Sequence, residues 1–158
     1  MRIGSYDLTF DQITYRFRQF FSVLRPQVDL ALVKEACLQL PETWREVFLT
    51  IPASTMAHVM RLYQTIRDDL SLDIASRREL LTLALTHDIG KAVTRPTLFE
   101  RVMKVLLPLP NKSHVIAGAR LMKRLGASPD LVKRIRKHHE PPGNDRLLTL
   151  FQTYDDRL

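Results

Sequence analysis

The chain has almost no cysteine and no long apolar run, and each absence excludes a class of protein. Cys37 is the one cysteine among 158 residues, so no disulfide can form within the chain and no thiolate metal site can be built. The residues after Met1 lack the apolar core and small-residue cleavage site of a signal peptide. The apolar runs are far too short to span a bilayer. We therefore expect a cytoplasmic protein with no membrane partner.

The sequence also lacks alternating strand patterns, internal repeats and low-complexity segments. Apolar residues make up 45% of the chain and charged residues 26%, which is ordinary for a globular domain, and 158 residues suffice to bury one core. Apolar positions recur at helical spacing instead, and prolines separate the segments. The sequence therefore predicts an all-α fold. The predicted helices cover residues 8–24, 30–40, 41–48, 54 onward, 76–87, 96–107, 113–125, 128–139 and 144 onward.

Particular residues mark the predicted helix ends. Ser54 is expected to cap the helix that bears His58, and Ser76-Arg77-Arg78-Glu79 is a capping-box pattern. Gly90 is expected to permit a sharp exit from the preceding apolar helix, and Gly126 to stop the helix at residue 125. Ser128-Pro129 predicts a helix start. Either Asn144 or Asp145 is expected to cap the last helix.

The most informative stretch is Leu85-Thr86-His87-Asp88-Ile89-Gly90-Lys91. The adjacent His87 and Asp88 offer a neutral nitrogen and an anionic oxygen at one point, as a borderline transition metal prefers. The other histidines lie on helix-like segments, and a further aspartate comes near the C-terminus. The full order is His58, His87-Asp88, His114, His138-His139 and Asp155.

This order resembles the HD-domain superfamily of metal-dependent phosphohydrolases. The resemblance covers residues 54–158. It implies an HD-domain helical bundle over residues 54–158, with residues 1–53 as an N-terminal helical extension packed on its core. The motifs that carry it are Met56-Ala57-His58-Val59-Met60-Arg61-Leu62, His87-Asp88-Ile89-Gly90-Lys91, His114-Val115-Ile116-Ala117-Gly118-Ala119, Lys137-His138-His139-Glu140 and Tyr154-Asp155-Asp156.

The resemblance also implies a metal site and an activity. The site would hold one or two divalent transition-metal ions, of iron, manganese, zinc, nickel or cobalt, with Asp88 as the natural bridge. Asp88 and Lys91 would be the catalytic residues, with Lys91 near a substrate phosphate, unless Lys91 is only a helix-end charge facing solvent. The activity would be cleavage of a phosphate ester or anhydride, of a nucleotide, by metal-activated water. The implied metal ligands are His58, His87, Asp88, His114, His138, His139 and Asp155.

Several alternatives stay open on the sequence alone. A non-catalytic regulatory, ligand-binding or scaffold module would keep the same fold. The terminal ligand is assigned to Asp155, although a related pattern would select Asp156 instead. His138 and His139 can both reach one site only if their helix end unwinds, because consecutive helical residues diverge by about 100°. The Gly-Tyr-Pro run of the branch that cleaves cyclic dinucleotides is absent, so that activity is not carried over.

The net charge of +7 bears on partners. Lys133, Arg134, Arg136 and Lys137 form the densest basic group, which is either a solvated helix face or an attractant for an anionic small-molecule substrate. No aromatic interleaving or nucleic-acid fold signature accompanies it, which argues against nucleic acid. The aromatic-rich segment 10–21 is a candidate surface for a homodimer or another partner, unless it packs on the chain's own core.

Overall fold

The computed structural model describes residues 27–94 and 113–158. Within these two ranges all the regular structure is helical, which confirms the all-α prediction. The helices predicted over residues 8–24 and 96–107, and with them the aromatic candidate partner surface, lie outside the described residues. The described helices are α1 Leu30–Cys37, α2 Glu42–Phe48, α3 Ala53–Asp68, α4 Ile74–Thr86, α5 Lys91–Thr94, α6 Ser113–Arg124, α7 Pro129–Lys137 and α8 Arg146–Asp155.

Two predicted helix starts are wrong. Helix α3 begins at Ala53 with Pro52 at the N-cap position, so Ser54 lies inside the first turn and is not the capping residue. Helix α4 begins at Ile74, because the Asp73 side chain accepts a hydrogen bond from the backbone N–H of Ser76. Aspartate caps a helix as well as serine does, and Asp73 lies upstream of residues that continue the helix, so the earlier cap prevails.

Other predicted ends are confirmed. Ser128 caps α7 by accepting from the Leu131 N–H, with Pro129 at the first helical position. Gly126 follows α6 with a φ of +78°, which is the left-handed conformation expected of a helix stop. Asp145, of the two candidates, caps α8 by accepting from the Leu148 N–H.

Helix α3 lies at the centre of the described fold because it contributes buried residues to two apolar clusters. Val59, Met60 and Tyr63 pack with residues of α1 and α2. Leu62 and Ile66 pack with residues of α4, α6, α7 and α8. Residues 28–51 thus share a core with α3, while the predicted division of the chain at residues 53 and 54 stays a prediction. No helix in the described ranges is long and apolar enough to cross a membrane.

Helix α8 closes the second cluster. Its Leu148, Phe151 and Tyr154 are buried and recur at helical spacing. The Tyr154 hydroxyl donates to Asp69 Oδ2 at 2.5 Å, which ties the last turn of α8 to the segment between α3 and α4. The C-terminal turn that carries Asp155 is therefore fastened to the body of the fold.

Candidate metal centre

Helices α3, α4, α6 and α8, together with the C-terminal end of α7, bring the predicted ligands to one place. His87 follows the last turn of α4 and is 1% exposed, and Asp88, next in the chain, is 3% exposed. His114 lies in the first turn of α6 and His138 caps the end of α7; both are buried. Burying several polar side chains together is costly unless they bind one another or a ligand, so this convergence marks a candidate functional site.

One group of ligand atoms comes from α3, the end of α4 and α8. His58, His87 and Asp155 each offer a donor atom within 4.8 Å of the others. His58 Nε2 lies 2.9 Å from Asp155 Oδ1. Two donors on one ion with bonds of ~2.1 Å are themselves ~3.0–3.5 Å apart at tetrahedral or octahedral angles. The group is therefore compact enough to hold one ion.

A second group comes from α6 and the end of α7. His114, His138 and His139 offer three ring nitrogens within 4.8 Å of one another. The ring centroids of His138 and His139 are 3.9 Å apart, and that of His139 is 5.5 Å from His114. Both consecutive histidines thus face one site. Helix α7 ends at Lys137, so His139 has left the helix, as this convergence requires.

The Asp88 carboxylate lies between the two groups. Its Oδ2 is 3.6 Å from His87 Nε2, in the first group, and its Oδ1 is 3.4 Å from His114 Nε2, in the second. Each oxygen therefore approaches a different group. A carboxylate in this position can ligate two ions at once.

Lys91, in the first turn of α5, donates a hydrogen bond from its Nζ to Asp88 Oδ2. Its side chain is 24% exposed, so the ammonium lies at the boundary between the buried carboxylate and solvent. Lys91 consequently points into the site instead of away from it. This is the orientation expected if Lys91 acts there.

Backbone carbonyls orient two of the buried imidazoles. His87 Nδ1 lies 2.9 Å from the carbonyl oxygen of Ala84, and His138 Nδ1 lies 2.7 Å from that of Ile135. A carbonyl only accepts, so each Nδ1 must carry the proton, and each Nε2 keeps a lone pair directed into the site. Metal-ligating histidines are held in this way.

Burial and neighbouring charges set the protonation states. Burial lowers the pKa of His87 and lowers that of His138 to about 4, so both rings are neutral near pH 7 and able to ligate. Burial opposes ionisation of Asp88, but the Lys91 ammonium holds the pKa of this carboxyl well below its usual range. Burial likewise opposes ionisation of Asp155, whose pKa is nevertheless held at about 2 by the hydrogen bond from His58.

The residues present fit a transition-metal site. Imidazole nitrogens and carboxylate oxygens without sulfur suit the divalent ions named above. His138 Nε2 is buried and has no hydrogen-bond partner among the described residues, which is costly for a polar atom that nothing binds. An ion in the second group would satisfy it.

The site is partly open to solvent. The His58 and Asp155 side chains are 27% and 15% exposed, and His139 is exposed, whereas His87 and His138 are buried. Asp156 is exposed and caps the end of α8, so the geometry brings Asp155, not Asp156, to His58. The ligand roles themselves stay predictions.

Three of the four residues of the basic group lie outside the candidate site. Lys133, Arg134 and Lys137 line a separate surface groove of about 860 Å³, whose lining includes none of the predicted ligands. Arg134 binds Glu79 at 2.7 Å and Asp145 at 3.1 Å, so this cation fastens α7 to α4 and to the start of α8. A role of the remaining cations in attracting substrate stays a prediction.

Gln152 is a residue of the site that the sequence pattern did not single out. Its Nε2 donates to the carbonyl oxygens of His138, at 3.0 Å, and Glu140, at 2.7 Å. The available signal is its position: Gln152 is a polar residue one turn before Asp155 and directly after the buried Phe151. Its partners are 12 and 14 residues away in the chain, which no local pattern indicates.

Comparison with known families agrees with this geometry. A family model for the HD domain matches residues 55–155, more than half of the chain. The match spans four of the five motifs whole and reaches Asp155, the assigned ligand of the fifth. No solved structure matches the chain. The chain therefore belongs to the HD-domain superfamily of metal-dependent phosphohydrolases.

Proposed function

We propose that this chain is a metal-dependent phosphohydrolase that cleaves a phosphate ester or anhydride, with nucleotides as its substrate class. The position of Asp88 is the observation that carries the proposal. Its two oxygens approach imidazole nitrogens of the two separate ligand groups, Oδ2 at 3.6 Å from His87 and Oδ1 at 3.4 Å from His114. A non-catalytic module with the same fold has no need of such an arrangement, and lost ligands would be its mark.

The chain's own residues would perform distinct tasks. His58, His87 and Asp155 would hold one ion, and His114, His138 and His139 a second, with Asp88 between them. The Ala84 and Ile135 carbonyls fix the ring orientation of the two most buried histidines before any ion arrives. When bound, the ions would supply an activated water and would polarise the phosphoryl oxygens.

Lys91 would contribute positive charge at the entrance. Its ammonium donates to Asp88 Oδ2 and its side chain is partly exposed, so it would lie beside a phosphate bound at Asp88. Charge builds up on phosphoryl oxygens during transfer, and a preorganised cation stabilises that charge. The net charge of +7 favours anionic substrates in general.

Metal content is the first measurement. The untagged chain, purified without chelator and loaded anaerobically with iron, manganese or zinc, should take up transition-metal ions by elemental analysis. The loaded protein should then release phosphate from one or more nucleotides in a screen of mono-, di- and triphosphates. Asp88→Ala should lose both metal and turnover, because the carboxylate serves both groups.

Lys123→Ala offers a control, since it removes an exposed cation on α6 and changes none of the predicted ligands. It should retain metal and activity. A wild-type chain that takes up no ion under any loading would refute the proposal and would favour the non-catalytic module. Turnover that survives in Asp88→Ala would remove the metal mechanism.

A further inference from the structure

Gln152 joins the two ligand groups through hydrogen bonds that run between helices. Its side-chain Nε2 donates to the carbonyl oxygens of His138 and Glu140, the residues on either side of His139. Carbonyls only accept, so the atom that faces both must be the amide nitrogen, and both of its hydrogens are used. One side chain thus holds the peptide segment that presents His139.

That segment needs an external partner. The last carbonyl oxygens of a helix accept no hydrogen bond from the helix itself, and α7 ends at Lys137. Residues 138 and 139 would diverge by about 100° if the helix continued. In the structure the centroids of their rings are 3.9 Å apart, and both rings lie near His114. The two carbonyls that accept from Gln152 belong to the residues on either side of His139, where the chain leaves the helix.

The other end of the connection is in the first group. Gln152 lies on α8 one turn before Asp155, whose Oδ1 is 2.9 Å from His58 Nε2. Its neighbour Phe151 is fully buried, with its ring centroid 5.2 Å from that of His87. Helix α8 therefore contacts the first group through Asp155 and Phe151, and the second through Gln152.

We propose that Gln152 is a positioning residue. It fixes the position of His138 and His139, in the second group, relative to Asp155 in the first. It touches neither substrate nor metal and acts through the backbone on either side of His139. The inference rests on the proposed function, because its consequence is measured on bound ions. Loss of Gln152 should weaken the binding of the ion in the second group and leave the binding of the ion in the first group unchanged.

Titration with Co²⁺ alone tests this, followed by its visible absorption and by elemental analysis. Gln152→Leu removes the donors at similar volume, and Gln152→Glu sets carboxylate oxygens against two carbonyls. We expect wild type to bind two ions. In both variants the ion of the first ligand group should bind as in wild type. The ion of the second group should bind about 10–100-fold more weakly, the usual cost of losing a group that orients ligands.

Thr153→Val is the matched control, since the hydroxyl of this exposed neighbour donates to the Thr149 carbonyl of its own helix and contacts neither ligand group. It should bind both ions normally. Normal binding of both ions in the two Gln152 variants would overturn the inference, as would equal weakening of both ions together with a lower melting temperature of the metal-free protein. A wild type that binds one ion overturns the inference alone, whereas one that binds none overturns the proposed function as well.

Discussion

Gly90 and Gly118 bring two backbones of the site into direct contact. A Cβ added at Gly90 would lie 2.6 Å from the Gly118 nitrogen and 1.9 Å from the carbonyl oxygen of His114. Gly90 follows Asp88 by two residues, and His114 is on α6, so this contact sets the distance between the carboxylate and the second group. Gly90 ends the turn over residues 87–90 without adopting a left-handed conformation, and its lack of a side chain allows this close approach.

Gly90→Ala should therefore be severely destabilising. The clash is with backbone atoms, which cannot move aside as a flexible side chain would, so we expect a loss of about 3 kcal/mol or more, at the upper end of overpacking. Urea unfolding of the metal-free protein measures it. Gly118→Ala places its Cβ 3.1 Å from the Gly90 nitrogen, a milder contact, and should cost about 1 kcal/mol. The reverse ranking would contradict this description of the contact.

The hydrogen bonds that Asp69 accepts from Ser71 and Tyr154 should make the free energy of unfolding depend on pH in the acid range. The Ser71 hydroxyl, and after it the Tyr154 hydroxyl, hold the pKa of Asp69 at about 2, below the ordinary value of 3.8. Because the folded pKa is depressed, this stabilisation is complete above pH ~4 and is lost as the pH falls through about 2. Between pH 5, 3 and 2 the melting temperature should fall less for Asp69→Asn than for wild type. An equal fall in both proteins would show that Asp69 makes no such contribution.

Local chemistry made much of the fold predictable. Ser128-Pro129, Gly126 and Asp145 each end or start a helix through bonds to residues within one turn, and such bonds can be read from neighbouring letters. The order of histidines and aspartates likewise indicated the family. The error at Ser76 arose because two residues with equal capping ability compete, and only the folded backbone selects Asp73.

The geometry of the centre could not be predicted in the same way. Which oxygen of Asp88 faces which group depends on how α4 and α6 pack, and the sequence specifies neither distance nor orientation. The apolar positions of α8 and the family resemblance favour Asp155 over Asp156, and Asp155 lies beside His58 in the structure. The contacts of Gln152 cannot be predicted from neighbouring residues, because its partners lie 12 and 14 residues away, at the end of another helix.

The two ligand groups should be separable by substitution. His58→Ala removes a donor from the first group alone, and His114→Ala removes one from the second. We expect each variant to lose one bound ion and to retain the other, because the remaining donors of the intact group keep their geometry. Elemental analysis after equilibrium dialysis counts the ions. Loss of both ions in His58→Ala would mean that the groups form one inseparable site.

Lys91→Ala should separate ion binding from turnover. Lys91 is not a metal donor, and its removal frees Asp88 Oδ2 from the ammonium, so metal content should persist. Turnover should fall by about 100–1,000-fold, the range seen when one charge-stabilising donor is removed from a catalytic site. Elemental analysis and phosphate release from the same preparation measure the two effects. Lys123→Ala, an exposed change on α6, should behave as wild type. Unchanged kinetics in Lys91→Ala would reduce Lys91 to a helix-end charge that partners Asp88.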